Sequence, residues 1–216
     1  MKKYRFYIGL IVSALLITAC SKNNGDPTLD LWKQQNEQAF TGLANNSDFQ
    51  SLSIPGGVGN IYYRVLQKGS GKRVFYNSRA EVYYKGWFVV TNEDKKIKAG
   101  DVFGQRLFDD GNAFKYAINN QVGDTDYRFE LQGLSVALQY MVVGDKWEVY
   151  IPYRLGYGDV NTSSNAYLVN LKYIVPAYST LAFEIELVKA IDPNEFDIPT
   201  DTTNPYYDPY YDPYYY

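Results

Sequence analysis

The side chains available for chemistry are few in kind. The 216-residue chain has no histidine and a single cysteine, Cys20, against 23 tyrosines and 11 phenylalanines. Without imidazole there is no His-based triad, no HExxH zinc site and no histidine general base. One thiol makes neither an internal disulfide nor a cysteine metal cluster, so no metal or cofactor is expected. Gly69-Ser70-Gly71 lacks the spacing of a phosphate loop and reads as a turn. The formal charge is −3, and without Lys2, Lys3 and Arg5 the chain keeps 18 basic against 24 acidic residues, a net −6. No basic patch stands out, so nucleic acid is not an expected partner.

Cys20 sits where its thiol has a use. Lys2, Lys3 and Arg5 are followed by an almost wholly apolar run from Tyr7 to Thr18. That run is shorter than the ~20 residues a membrane-spanning helix needs and fits the apolar region of a signal peptide. It ends Leu16-Ile17-Thr18-Ala19-Cys20, which resembles a lipobox. The resemblance implies a signal peptide over 1–19, cleavage before Cys20, and a diacylglycerol on its sulfur that anchors the protein to a membrane. Ser21 and Lys22 follow, with no aspartate, which favours the outer membrane by likeness to bacterial sorting rules.

The elements behind these residues follow from pattern. Residues 20–60 are expected to form a spacer. Asp26-Pro27 reads as a helix cap with proline at the first helical position, and Leu29, Trp32, Phe40 and Leu43 share a face, so a helix of about four turns is expected. It either packs on the domain or pairs with a second copy to make a homodimer. Ser53 to Asn60 is a glycine-rich linker, and a domain over 61–191 begins near Ile61. Strands are expected at Ile61 to Gln67, Glu81 to Val90, Phe114 to Ile118 and Tyr127 to Leu131. Trp147, Val149 and Ile151, and later Leu181, Phe183, Ile185 and Leu187, alternate with polar or small residues at period two. Leu134, Ala137, Leu138 and Met141 make one helical stripe, preceded by Gly133 and stopped by Gly144. A short amphipathic helix buries its stripe only against a larger apolar surface, so the expected fold is α+β: a curved antiparallel sheet wrapped around one helix. In the tail, 192–216, proline recurs every fourth residue in Asn204-Pro205, Asp208-Pro209 and Asp212-Pro213. That spacing suits neither helix nor central strand, and the tail reads as disordered or as a tyrosine-rich ligand.

Four blocks, in order, carry a family resemblance. Val82-Tyr83-Tyr84-Lys85-Gly86-Trp87 is similar to a V-x-Y-x-G strand, and Leu107-Phe108-Asp109 to the F-D pair after the next turn. Leu131-Gln132-Gly133-Leu134 leads through the helix to Met141-Val142-Val143-Gly144-Asp145-Lys146. Ile151-Pro152-Tyr153-Arg154-Leu155-Gly156-Tyr157-Gly158 is the most specific block, and Ile174-Val175-Pro176 with Ser179 to Leu187 resembles the closing strand. Together these resemble the FK506-binding-protein (FKBP) family of peptidyl-prolyl cis-trans isomerases.

The resemblance implies a site. Tyr84, Phe108, Phe114, Leu131, Leu134 and Phe183 would surround a proline ring, with Val175 flanking it. Tyr157 would donate its hydroxyl to the substrate carbonyl, and Asp109 would present its carboxylate at the rim. If extra chain does not fall at Asn119 to Phe129, Tyr127 takes the place of Phe114. Leu134 stands where many members carry tryptophan. Thr91 to Phe103, with Lys95, Lys96 and Lys98, reads as an insertion. The loop after Gly158 is long and holds Tyr167, Leu168, Val169 and Leu171. The expected activity is isomerisation of X–Pro bonds in proline-containing client polypeptides, assisting the folding of exported proteins. The alternatives are a non-catalytic chaperone or scaffold on the same fold, and a glycan-binding surface protein.

Overall fold

Two long paired strands, one of them strictly alternating, set the architecture. Along β3 (Arg79–Phe88) the buried residues are Ala80, Val82, Tyr84, Gly86 and Phe88, every second position, so one face of the strand looks into the core. β7 (Leu181–Ile191) pairs antiparallel with it from Phe88↔Leu181 to Arg79↔Ile191. The computed structural model describes residues 27–54, 59–119, 131–162 and 173–192. Around this pair the described residues form one antiparallel sheet in the order β1-β2-β6-β7-β3-β4. The others are β1 (Gln50–Ser53), β2 (Asn60–Gln67), β4 (Val102–Arg106) and β6 (Lys146–Ile151). β5 (Phe114–Ala117) pairs with the first half of β3 and β4 with the second half, along the same edge. Bulges at Glu81/Val82, at Gly86/Trp87 and between Val65 and Gln67 bend the sheet, because an extra residue on one strand raises the local twist.

Helix α2 (Gln132–Tyr140) covers the inner face. Leu134, Ala137, Leu138 and Met141 are all buried in the core cluster. Two glycines let the layers close. A Cβ on Gly133 would stand 2.5 Å from the Ile151 side chain, and one on Gly86 would stand 2.7 Å from the rings of both Phe103 and Phe183. The fold is thus α+β, an antiparallel curved sheet around a short helix.

Several details differ from the sequence pattern. Residues 53–60, expected to be a linker, join two paired strands, β1 and β2 (Ser53↔Asn60). The sheet therefore starts at Gln50, because Leu52 and Ile54 find core neighbours. α2 ends at Tyr140, before Gly144, and Met141 is already extended. The turn that follows is closed by Asp145, whose buried carboxylate accepts from Val142 N–H at 2.7 Å and Gly69 N–H at 2.6 Å. Gly133 lies inside the helix, and Leu131 is its N-cap residue, with the expected strand before it lying outside the described residues. The Thr91 to Phe103 stretch is anchored, with Ile97 in the core and its end feeding β4.

Helix α1 (Pro27–Gly42) buries Trp32, Asn36 and Phe40. Phe40 meets Tyr62 of β2 at 5.0 Å, and Trp32 and Asn36 bond to the turn before β7. Trp32 and Phe40 of the expected stripe are thereby covered by the chain's own domain, and Leu29 and Leu43 are partly exposed. Cys20 and the segment before it, Tyr127, the stretch from Tyr167 to Leu171 and the tail beyond Asp192 lie outside the described residues.

Candidate functional site

The inner face of β3 and β7 brings most of the expected residues together. Tyr84 on β3 and Phe183 on β7 belong to the same buried cluster as Leu131 and Leu134, at the start of α2, and Val175. All five are at most 5% exposed. Phe114, half-buried on β5, sets its ring edge against Tyr84 at 5.6 Å and 81°, an arrangement suited to ring quadrupoles. Tyr157 is half-buried and packs on the cluster, with its hydroxyl oxygen in the buried part of the side chain. Seven of the nine expected site residues thus lie in or against one apolar body.

Phe108 and Asp109 stand apart. They form a single 3-10 turn, Phe108–Asp110, after β4. Asp110, not Asp109, closes that turn, its carboxylate accepting from Leu107 N–H at 2.6 Å. Phe108 is 75% exposed and lays its edge on Tyr83 at 5.6 Å. Neighbouring residues of a strand point to opposite faces, so Tyr83 looks away from Tyr84 and Phe108 does not join the wall that Tyr84 and Phe114 form. The expectation that Phe108 encloses the ring position is corrected in this conformation. The cause is the Tyr83 side chain, whose ring meets Phe108 and whose hydroxyl donates to Gly111 C=O at 3.2 Å, holding the turn on that side. Asp109 is exposed and has no hydrogen-bond partner among the described residues.

Two supports escaped sequence reading. Tyr116, fully buried on β5, accepts from Leu131 N–H at 3.0 Å and donates to Leu131 C=O at 2.7 Å. One hydroxyl thus satisfies both main-chain groups at the N-terminus of α2, where helices leave donors unpaired, and it seats Leu131 and Leu134. The sole signal was its place two residues after Phe114, on the same strand face. The second support is the junction of two loops. Thr162 Oγ1 accepts from Val175 N–H at 2.9 Å, and Thr162 N–H donates to Val175 C=O at 3.0 Å. Tyr178 N–H donates to Gly158 C=O at 2.9 Å. The loop that carries Tyr157 and the loop that carries Val175 are therefore joined side by side.

The electrostatics are plain. Burial pushes the Tyr153 phenol up, so it stays neutral beside Tyr157's loop. Among the described residues no group of Cys, Asp and Glu side chains gathers to hold a metal, and no helix is long and apolar enough to cross a membrane. What the arrangement offers is an apolar, aromatic body with the hydroxyls of Tyr84 and Tyr157, a carboxylate at some remove, and no acid–base pair among the described residues.

An antiparallel sheet around one short helix, with aromatic residues converging at β3, β5 and β7, is the FKBP-like fold. The sequence profile of FKBP-type peptidyl-prolyl cis-trans isomerases matches residues 71–188, and the chain belongs to that family. It is 27% identical over 143 residues to the Macrophage infectivity potentiator of Trypanosoma cruzi, covering 66% of this chain and 57% of that protein. It is 28% identical over 131 residues to the FKBP-type 22 kDa peptidyl-prolyl cis-trans isomerase of Escherichia coli, covering 61% of this chain and 50% of that protein. The chain thus spans about half the length of the curated relatives it matches. A crystal structure of a peptidyl-prolyl cis-trans isomerase from Pseudomonas syringae pv. tomato has the same fold, with a TM-score of 0.54 at 22% identity over 79% of this chain and 100% of that one.

Proposed function

We propose that the protein is a peptidyl-prolyl cis-trans isomerase acting on proline-containing polypeptides at the cell envelope. The observation that carries the reading is the convergence of Tyr84, Phe114, Leu131, Leu134, Val175, Phe183 and Tyr157 on one apolar body, in a chain of this family.

The chemistry needs nothing the chain lacks. An X–Pro bond isomerises slowly because its partial double bond must twist over ~18–20 kcal/mol. Favouring the twisted amide over the planar one lowers that barrier without acid, nucleophile or metal. The twisted amide is less resonance-polarised, so an aromatic wall that excludes water opposes it less than it opposes the planar form. In this reading Tyr84, Phe114, Leu131, Leu134, Phe183 and Val175 hold the prolyl ring. The Tyr157 hydroxyl donates to the carbonyl of the bound peptide and fixes it in register. Asp109 serves the rim, beside the exposed Phe108.

A protease-coupled assay on a short X–Pro peptide tests this. The folded protein is expected to accelerate isomerisation, and Tyr157→Phe to retain less of that rate than Asp109→Leu. No acceleration above background removes the enzyme reading. The pattern at Cys20 supports a lipid anchor on the outer membrane. Cys20→Ser is expected to move the protein from the membrane to the soluble fraction, and its staying in the membrane fraction would contradict the anchor.

One observation favours a second reading, a holdase that binds clients without isomerising them. Leu107, Phe108, Val160 and Ile174 are exposed apolar residues on the turns that flank the site. Suppression of client aggregation that survives Tyr157→Phe together with Asp109→Leu would favour it.

A further inference from the structure

We propose that α1 is a positioning element of the site: Trp32 and Asn36 fix the 176–180 turn, and with it the two loops that carry Val175 and Tyr157. The proposal rests on the reading of those two residues as site residues. α1 lies outside residues 71–188, so the family match carries no information about it.

Asn36 is the starting observation. It sits in the middle of a helix and is 0% exposed. Asparagine is a poor helix-interior residue, and a buried amide is tolerated only when its polar atoms are partnered. Here they are. Oδ1 accepts from Thr180 N–H at 2.7 Å, and Nδ2 donates to Trp32 C=O at 2.9 Å. Thr180 Oγ1 returns a bond to Asn36 C=O at 2.9 Å. An apolar side chain would leave the buried Thr180 N–H without this acceptor, and the amide thus sets the register of α1 against Thr180. One helical turn earlier, Trp32 Nε1 donates to Ala177 C=O at 2.9 Å. α1 therefore grips both sides of Tyr178.

Tyr178 is the residue that needs gripping. Its φ is +62°, a left-handed conformation that crowds the Cβ of any L-residue and is an outlier for a bulky one. Its ring lies under Lys33 Nζ at 5.0 Å and against the edge of Tyr153 at 5.1 Å. In that conformation its N–H reaches Gly158 C=O, the residue after Tyr157, at 2.9 Å, while Ala177 N–H reaches Asn161 Oδ1 at 2.9 Å. From α1 to Tyr157 the connection is thus Asn36 and Trp32, then Ala177 to Thr180, then Gly158. The exposed Glu37–Arg154 pair, 3.7 Å apart, adds little to it.

The test uses the full chain with Asn36→Ala, and Val74→Ala as a control. Val74 is a buried core residue at the other end of the sheet, just before β3. With the two compared at equal loss of melting temperature, Asn36→Ala is expected to lower kcat for X–Pro isomerisation by about tenfold with KM nearly unchanged. Val74→Ala is expected to keep both parameters. Amide exchange of Val175 and Tyr178 should accelerate by about tenfold in Asn36→Ala, while the β3–β7 ladder stays protected. Where Asn36→Ala does not fold, Trp32→Phe removes one donor, keeps an aromatic ring in the smaller phenyl form, and is read in the same way with a smaller effect. Kinetics indistinguishable from the control, or unchanged exchange at Val175 and Tyr178, overturns the proposal. An inactive wild type defeats the functional reading alone, because the exchange pattern still reports whether α1 holds the loops.

Discussion

The floor of the site and its rim are built on opposite plans. The floor residues stand on β3, β7 and the first turn of α2, where strands are paired on both sides and the side chains are nearly inaccessible. The rim pair, Phe108 and Asp109, stands on one 3-10 turn that is closed by Asp110 and exposes most of Phe108. Removing a floor residue therefore damages the fold before it can report on binding, and removing a rim residue does the reverse. Stability and activity should separate along that line.

The largest effect is expected on the floor. Phe183→Ala leaves a cavity beside Phe103 and Gly86 and should cost ~3–5 kcal/mol of unfolding free energy by denaturant titration. A loss below ~1 kcal/mol would mean that the floor is not close-packed. Next comes Tyr116→Phe, which orphans Leu131 N–H, while Leu131 C=O keeps its bond from Ser135 N–H at 3.1 Å. It should lower stability by ~1–3 kcal/mol, visible as a lower melting temperature, with isomerase activity falling alongside as Leu131 and Leu134 lose their seat. Phe108→Ala should leave stability within ~0.5 kcal/mol, while kcat/KM for a peptide long enough to reach the rim falls by about fivefold, equivalent to ~1 kcal/mol of lost contact. An equal loss of stability in Phe108→Ala and Tyr116→Phe would erase the distinction between floor and rim.

The smallest effect is on pH. Burial, with Glu148 adding to it, pushes the Tyr150 phenol up to about 12 from 10.0. A tyrosine whose folded value is raised favours the neutral form, so its contribution is fully present below pH ~10 and fades as pH climbs through about 12. Melting temperature should therefore be flat in this respect across neutral pH and decline above ~10. With no imidazole and no proton transfer in the proposed reaction, the isomerisation rate should not follow a bell-shaped curve around neutrality.

The same division explains what was legible in the sequence. Strands β6 and β7 and helix α2 declared themselves by period, because alternating Trp147, Val149 and Ile151, alternating Leu181, Phe183, Ile185 and Leu187, and the stripe from Leu134 to Met141 are the trace of a buried face. The motif glycines Gly86 and Gly133 mark where a ring or an isoleucine presses on the main chain. β1 and the sheet's start at Gln50 were hidden because Gln50–Ser53 is a short, mostly polar edge strand that alternation cannot flag. Phe108 was misplaced because a two-residue motif names the turn and not the direction of the ring. The brace through Asn36 was unreadable, since its partner Thr180 lies 144 positions along the chain and one side of each hydrogen bond between them is a main-chain group.

Two-dimensional exchange NMR on a short X–Pro peptide with a catalytic amount of the folded wild-type chain tests the central claim most directly. The account predicts cis–trans exchange in well under the ~10–100 s of the uncatalysed bond, and a slower rate with Tyr157→Phe. Exchange that stays at the uncatalysed rate would contradict it and leave the family fold without its chemistry.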